Sequence, residues 1–191
     1  MVREAVPDDA DAIADAHVEA WREAYRHAVP AALLDDPAFR TSRFEGWRRR
    51  LVDELRPDGW DLDDTIFAAL LDGRVVGFGH VGRSRGDRIG QPDGELYGFY
   101  VHPDAWGSGV ADALIDRCHR ALAVRFDDAL LWVLTDNPRA RRFYERNGWS
   151  CGSGDDLVED TWCGPSLPGM SLIRLELPET QYRRGLHRVG D

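Results

Sequence analysis

Two glycines stand between a predicted strand and a predicted helix, and the backbone amides around them are the first groups in the sequence that suggest chemistry. The stretch "ELYGFYVHPDAWGSGVA" (residues 95–111) begins with strand-forming residues, breaks at Pro103, and passes through Gly107 and Gly109 into the helical pattern "VADALIDRCHRAL". The first turn of a helix leaves about four N–H groups without partners in the helix, and the helix dipole adds positive charge there. Glycine lets a ligand come close to that backbone. The pattern therefore predicts an anion site, typically for phosphate, on the amides of about Gly107 to Ala111.

Other interpretations of this turn stay open at this point. Glycines before a helix are common in ordinary turns, which bind nothing. The segment is not a Walker A loop, because no Gly-Lys-Ser/Thr follows it, and it is not Gly-x-Gly-x-x-Gly, because residue 112 is Asp. A phosphate- or nucleotide-binding domain of some other kind is therefore one hypothesis for the whole chain.

Length, composition and charge narrow the classes of function. A chain of 191 residues with 43 % hydrophobic residues fits one domain with a sizeable core. The net charge of −10 argues against nucleic acid as a partner, because phosphate contacts need a basic face. It is compatible with a small partner that carries positive charge, although most acidic surfaces only keep a protein in solution. The sequence contains no Lys, which excludes a Lys base, a Schiff base and a P-loop Lys.

Cysteine, histidine and hydropathy patterns argue against metals, disulfides and membranes. The three cysteines are far apart and form no Cys-x-x-Cys pair, so free thiols in a reducing cytoplasm are expected. The six histidines are scattered and none has metal-ligand spacing, which predicts no catalytic metal. The N-terminus shows no apolar leader, and no apolar run approaches the roughly 20 residues that span a bilayer. We therefore expect a cytoplasmic protein with no membrane partner.

The rest of the chain predicts the elements that must position the glycine turn. A short N-terminal strand precedes helices, and Asp72-Gly73 marks a hairpin turn between two apolar runs. "DDALLWVLTDN" predicts a buried strand, "PRARRFYERNG" a helix, and "MSLIRLEL" a last strand. This order predicts an α/β (α+β mixed) fold with a central mixed, mostly antiparallel twisted sheet of six to seven strands and helices on both faces. We expect a single domain over residues 1–178 and a C-terminal tail over 179–191.

Together, the glycine turn and "TDNPRARRFYERNGW" resemble the GNAT superfamily of N-acetyltransferases. That superfamily carries Arg/Gln-x-x-Gly-x-Gly/Ala after its fourth strand, often after a Val-x-Pro step, and Asn-x-x-Ala-x-x-Phe-Tyr-x-x-x-Gly-Phe after its fifth. The residues that match are Val101, Pro103, Gly109 and Ala111 in the first pattern, and Asn137, Ala140, Phe143, Tyr144 and Gly148 in the second, with Trp149 in place of Phe. The resemblance covers about residues 1–178. The Arg/Gln position is occupied by Trp106, which departs from the pattern.

The resemblance implies acetyl-CoA as co-substrate. Its pyrophosphate would lie on the amides of the glycine turn, and its pantetheine arm would pair like a strand with Tyr100 and Val101, where the fourth strand separates from the fifth. Asn137 would contact the arm from the far side. The implied cofactor-binding residues are Tyr100, Val101, Trp106, Gly107, Ser108, Gly109, Val110, Ala111, Asn137 and Tyr144. We expect binding to survive the change at Trp106, because the amides would still face the phosphates.

The resemblance also implies roles in the chemistry. Tyr144 would protonate the leaving thiolate, although a core ring at helical spacing from Ala140 is the alternative. Glu95 matches the position of the base in the histone-acetylating members, although an ordinary acidic residue at a strand start is equally compatible. Strand alternation predicts that Glu95, Tyr97, Phe99 and Val101 share one face, and the N–H of Val101 is the expected oxyanion donor.

Aromatic residues are predicted to wall the acceptor site. Trp21 and Tyr25 lie four residues apart on the first helix, which walls the acceptor site in this family, and Tyr97 is the third residue assigned to the substrate. Aromatic walls suit an organic ammonium, and core packing is the alternative. The implied function is transfer of an acetyl group to a small-molecule or peptide amine by direct attack in a ternary complex. The alternative is a non-catalytic CoA-binding module of the same fold, and a homodimer is compatible with either.

Overall fold

The computed structural model describes residues 1–52, 64–85, 91–154, 157–163 and 176–186. In chain order the elements are β1 (Val2–Glu4), α1 (Ala10–Tyr25), α2 (Ala31–Leu34), α3 (Pro37–Leu51), β2 (Thr65–Leu71), β3 (Arg74–Arg83), β4 (Gly94–Val101), α4 (Val110–Ala123), β5 (Asp128–Leu134), α5 (Pro138–Arg146), β6 (Ser150–Cys151), β7 (Glu159–Cys163) and β8 (Glu176–Gly185). The predicted hairpin is confirmed: β2 and β3 flank Asp72 and Gly73, whose φ angles are +50° and +78°.

The strands form one mixed sheet. Its order is β1-β2-β3-β4-β5-β8-β6, and β7 also pairs with β8. All of these pairs are antiparallel except β4 and β5, which are parallel. The predicted fold class is thereby confirmed. Within the described residues the sheet has eight strands rather than six to seven, because two short strands, β6 and β7, also join it.

Helices cover both faces of the sheet, and the alternation of β2 shows how the faces divide. Phe67 and Ala69 point into a core with α4, whereas Ala68 between them packs with residues of α1 and α3. Successive strand residues face opposite sides, so one strand supplies both cores. None of the helices in the part of the chain described here combines the length and the apolar composition needed to span a bilayer.

The prediction of a C-terminal tail over residues 179–191 is wrong for its first half. Residues 179–185 belong to β8, which pairs along the whole of β5 and therefore lies inside the sheet. The buried side chains of Thr180 and Tyr182 show why the chain is held there. This strand is difficult to recognise in the sequence "PETQYRRG", because polar residues alternate with the residues that the structure buries. The strand predicted at 170–177 lies mostly outside the described residues.

Gly79 lets α4 approach the sheet closely. A Cβ atom built on Gly79 would overlap the Sγ atom of Cys118 in α4 and lie 3.6 Å from the Leu114 side chain. Both neighbours are fully buried, so neither has free space into which it could move. Because α4 begins at the glycine turn, this close packing also fixes the position of that turn relative to β4.

We expect Gly79→Ala to lower the free energy of unfolding by about 1–3 kcal/mol through overpacking. Adding Cys118→Ala should recover part of that loss, because it removes the overlapping sulfur. Gly46→Ala is the control with the opposite sign: Gly46 lies inside α3 with no atom within 4 Å of a built Cβ. It should stabilise the protein by up to about 1 kcal/mol. Urea denaturation of the four proteins measures these differences; equal stabilities for Gly79→Ala and the unchanged protein would contradict the packing argument.

Candidate active site

A split between β4 and β5 is the central feature of the site. The two strands pair only where Gly94–Leu96 meets Ala129–Leu131. Beyond this point β4 continues to Val101 on β3, and β5 continues to Leu134 on β8, without pairing with each other. The inner edges of both strands are therefore available to a ligand that enters between them.

The N–H of Val101 faces this split. His102 donates its backbone N–H to the carbonyl of Val76 at 2.7 Å, so the amide of His102 points towards β3. Successive amides of a strand point in opposite directions, which turns the Val101 N–H away from β3. The position expected for an oxyanion donor is thus compatible with the backbone geometry.

A β-bulge changes the predicted faces of β4. His80 pairs with Gly98 and Val81 pairs with Leu96, which leaves Tyr97 as an extra residue. The extra residue shifts the alternation by one position. The prediction of one shared face is therefore wrong. Glu95 and Tyr97 are on the α1 and α3 side, and the two other residues, Phe99 and Val101, pack in the core with α4.

The glycine turn presents free amides at the start of α4. Gly107 and Gly109 have φ angles of +79° and +82°, and no atom lies within 4 Å of a Cβ built on either. Ser108 donates its hydroxyl to Ala105 and accepts weakly from the N–H of Val110 at 3.4 Å. Within the described residues, the amides of Gly107, Gly109 and Ala111 find no acceptor. These are the features that an anion site on this backbone needs.

Trp106 braces the glycine turn in place of the Arg or Gln of the motif. Its indole N–H donates to the carbonyl of Val101 at 2.8 Å, which ties the turn to the end of β4. The guanidinium of Arg139 lies 3.1 Å from the centroid of the Trp106 ring, which links the turn to α5 as well. The departure from the motif therefore supplies a different support for the same loop.

We expect Trp106→Leu to weaken CoA binding about tenfold, because the loop loses both its hydrogen bond and its cation–π contact. Phe44→Leu is the matched control, because this aromatic residue lies on α3, has a cation–π contact with Arg40 and is outside both the split and the cavity lining. Isothermal titration with CoA measures both. Unchanged affinity in Trp106→Leu would show that the turn holds its shape without this side chain.

A half-open cavity of ≈ 200 Å³ lies on the α1 and α3 side of the sheet, beside the outer half of β4. Its lining comprises His17, Trp21, Tyr25, Arg43, Trp47, Arg50, Phe78, His80, Arg85, Tyr97, Gly98, Tyr100, Leu134 and Glu179. The three residues assigned to the acceptor from the sequence are all among them. Tyr100, assigned to the cofactor, also faces this cavity. The aromatic residues predicted to form a wall therefore do line one cavity.

Tyr144 lies in α5, buried close to the split. Burial, together with the neighbouring Tyr100, raises the pKa of Tyr144 well above its ordinary value, so the phenol stays protonated at neutral pH. Its ring stands at 6.4 Å from that of Phe99 in β4, in an edge-to-face arrangement. A protonated phenol in this position can act as an acid.

Asn137 caps α5. Its side-chain oxygen accepts the N–H of Ala140 at 3.0 Å, which satisfies one of the free amides of the helix start. Its side chain also lies near the Tyr25 hydroxyl, which in turn lies near Tyr100. Asn137 therefore joins the start of α5 to the wall of the cavity.

Glu95 is held by Arg85 and does not line the cavity. Its two carboxylate oxygens accept from the backbone N–H and the guanidinium of Arg85, each at 2.9 Å. The carboxyl group is buried, and Arg85 rather than Glu95 faces the open space. The structure thus places the residue predicted as a base behind the cavity wall.

Glu179 is the carboxyl group that the structure places in the cavity and that sequence reasoning missed. It lies on β8 opposite Leu134, the last residue of β5, and opposite Asp160 of β7. Burial, Asp160 and Glu95 raise the pKa of Glu179 to about 7. A carboxyl group with this pKa can accept a proton near neutral pH. It was missed because its strand was assigned to the tail.

The His17 imidazole and the Cys118 thiol of this region are uncharged at neutral pH. Burial and the nearby Arg43 and Arg50 lower the pKa of His17 well below its ordinary value, and His17 accepts the indole N–H of Trp47. Burial raises the pKa of the Cys118 thiol in the core to about 12. In the part of the chain that the structure covers, no cluster of three His, Cys, Asp or Glu residues could hold a metal ion.

Comparison with known sequences gives a consistent family. Residues 14–149 match the model of the acetyltransferase (GNAT) family. The "Uncharacterized N-acetyltransferase YuaI" of Bacillus subtilis is 30 % identical over 139 residues, which cover 72 % of this chain and 73 % of that protein. An aminoglycoside N(6')-acetyltransferase type 1 of Stenotrophomonas maltophilia is 33 % identical over 119 residues, which cover 60 % of this chain and 61 % of that protein.

Comparison with solved structures supports the fold. The PaiA N-acetyltransferase from Thermoplasma acidophilum, solved in complex with coenzyme A, is similar with a TM-score of 0.67 at 15 % identity. The superposition covers 97 % of this chain and 98 % of the other. At this identity the likeness concerns the fold alone.

Proposed function

Because the chain belongs to the GNAT family of acetyltransferases and is an acyltransferase, we propose that it moves an acetyl group from acetyl-CoA to a primary amine by direct attack in a ternary complex. One observation carries the proposal: β4 and β5 stop pairing beyond Leu96 and Leu131, and the outer half of β4 has the free amides of the glycine turn after its end and an aromatic cavity with a carboxyl group beside it. We also propose that the described elements form one catalytic domain.

The donor fits the split and the glycine turn. The pyrophosphate would accept from the amides of Gly107, Gly109 and Ala111, whose open surroundings admit it without a steric clash. The pantetheine amides would pair with the free inner edge of β4. The thioester carbonyl would then lie near the N–H of Val101, and one such oxyanion donor is typically worth about 10²- to 10³-fold in rate.

Two side chains of the protein, Glu179 and Tyr144, accept and donate the protons of the reaction. Glu179 takes a proton from the acceptor ammonium, which leaves the amine nitrogen with a free electron pair. That nitrogen attacks the thioester carbonyl carbon, so a C–N bond forms and the C–S bond breaks. Tyr144 donates its proton to the departing thiolate and regains one from the second proton that the new amide nitrogen loses. We propose Glu179 rather than Glu95 as the base, since the two hydrogen bonds from Arg85 hold Glu95 behind the cavity wall.

An amine-dependent assay of thiol release tests the proposal. Acetyl-CoA is mixed with the protein and with a panel of amines that includes amino acids, polyamines and aminoglycosides, and free CoA thiol is followed. We expect release above the amine-free rate with at least one amine, and an acetylated amine in equal amount by mass spectrometry. Binding of CoA without any amine-dependent release would instead support the regulatory module.

A further inference from the structure

The cavity carries positive charge although the protein is acidic. Three of its lining residues are arginines, Arg43 and Arg50 from α3 and Arg85 before β4, whereas the whole chain has a net charge of −10. Among the described residues of the lining, Glu179 is the one carboxylate, and the two histidines have lowered pKa values and are neutral. Arg85 is neutralised by Glu95. The charge that remains is concentrated on the α3 side.

Arg43 lies in the cavity lining, with its guanidinium over the ring of Phe39 rather than on a described carboxylate. Its Nε atom is buried and makes no hydrogen bond within the part of the chain that the structure describes. No described carboxylate forms an ion pair with it, in contrast to the ion pair of Arg85 with Glu95 at 2.9 Å. Burial lowers the pKa of Arg43, although the group stays charged. A buried guanidinium nitrogen without a hydrogen-bond partner costs free energy unless a ligand supplies an acceptor.

We propose that the acceptor is an amino carboxylate, whose carboxylate binds to Arg43 while its ammonium group faces Glu179. The inference rests on the proposed function, since it names the class of amine that enters the same cavity. A planar guanidinium can donate two parallel hydrogen bonds to a carboxylate, which gives direction as well as charge. The aromatic rings around it would receive the remainder of the molecule.

Tyr100 lies near both charged groups of the cavity. It lines the same space and interacts electrostatically with both Arg43 and Glu179. Arg43 and Glu179 form no ion pair with each other. Each of the two groups is therefore free to hold one of the two opposite charges of the acceptor.

The donor phosphates do not explain Arg43. The glycine turn and α4 lie on one face of the sheet, whereas α3 and Arg43 lie on the other. An anion that reaches Arg43 must come with the acceptor or with the acyl group. We assign it to the acceptor, because the guanidinium and Glu179 share one cavity and would hold the two opposite charges of an amino carboxylate.

The test compares L-amino acids with their own primary amides, which keep the amine and lack the negative charge. Isothermal titration measures binding to the full chain without cofactor and with saturating CoA, so the result is independent of turnover. The proteins are the unchanged chain, Arg43→Gln and Arg49→Gln. Arg49 lies on the same helix, exposed and outside the cavity lining, and so its variant is the matched control.

We expect at least one amino acid to bind about tenfold or more tightly than its amide, in the unchanged protein and in Arg49→Gln. In Arg43→Gln that ratio should fall to about one. Equal binding of acid and amide in every pair, tighter binding of spermidine or tobramycin, or an unchanged ratio in Arg43→Gln would overturn the proposal. Arg43-dependent preference for succinyl-CoA over acetyl-CoA would overturn it too, because Arg43 would then hold the acyl group.

The two proposals fail in different ways. Suppose that the protein prefers acids over amides in an Arg43-dependent way but releases no thiol with any amine. That result would overturn the proposed acetyl transfer and support the amino-carboxylate site. Thiol release with amines of every charge, without such a preference, would keep the transferase and overturn the acceptor assignment.

Discussion

Replacing Glu179 by Gln is expected to lower kcat/KM for acetyl transfer about 10²- to 10⁴-fold at neutral pH, the usual contribution of a general base. Glutamine keeps the shape of the side chain and cannot accept the proton of the ammonium. Glu95→Gln is the matched control, because Glu95 is a second buried carboxyl group nearby that does not line the cavity. A larger loss of kcat/KM in Glu95→Gln than in Glu179→Gln would indicate that Glu95, and not Glu179, is the base.

The raised pKa of Glu179 predicts the direction in which activity changes with pH. Because the pKa of Glu179 is raised to about 7, activity should rise with pH through about 7 and level off above it. The Gln variant should lack this limb. The raised pKa also means that Glu179 contributes stability below its unfolded pKa and loses it as pH rises through about 7. Above that pH the Gln variant should be at least as stable as the unchanged protein, so lost activity cannot be ascribed to unfolding.

Tyr144→Phe is expected to lower kcat at least about tenfold while CoA affinity stays unchanged. The phenol is protonated at neutral pH and burial raises its pKa further, so the unchanged protein has a proton to donate to the thiolate and the variant has none. Single-turnover and steady-state kinetics with a reactive amine, together with CoA titration, measure the two quantities.

Tyr182→Phe is the control for Tyr144→Phe. Tyr182 is a fully buried tyrosine of β8 whose hydroxyl donates to Glu145 and accepts from Arg141, each at 2.9 Å. Its loss should reduce stability and leave kcat nearly unchanged. If both variants lose activity in proportion to their stability, Tyr144 is a packing residue and the proton comes from elsewhere.

The parts of the fold that follow from local patterns could be predicted from the sequence. The turn at Asp72 and Gly73, the strand before the glycines, and the helix after Asn137 each carry their own residue signal, and the structure has all of them. The resemblance to a known superfamily implied the separation of the fourth strand from the fifth, which the structure has. The glycine turn was predicted correctly because positive φ angles and free amides are properties of the local backbone.

The parts that depend on distant packing could not be predicted. The bulge at Tyr97 arises from pairing with His80 and Val81, and no feature of the sequence around Tyr97 reports it. This bulge by itself moves the residues of β4 that follow it to the opposite faces of the sheet from those predicted. β8 alternates polar and apolar residues at the end of the chain, which resembles a solvent-exposed segment until its partner β5 is known. Glu179 was missed for the same reason.

Net charge was also a poor guide to the acceptor. The overall value of −10 is compatible with a cationic partner, yet Arg43 and Arg50 make one side of the cavity positive. The arginines of α3 resemble a solvated helix face in the sequence. Only the packing of α3 over the sheet shows which of them point inwards.

A thermal-shift titration with acetyl-CoA, CoA, ATP and NAD tests the central claim most directly. A ligand at about 100 times its Kd adds roughly 2.7 kcal/mol to stability. For a chain of this size we expect Tm to rise by several degrees with acetyl-CoA and with CoA, and by much less with ATP or NAD. No shift with either CoA compound, or an equal shift with ATP or NAD, would contradict the claim that the split and the glycine turn form an acyl-CoA site.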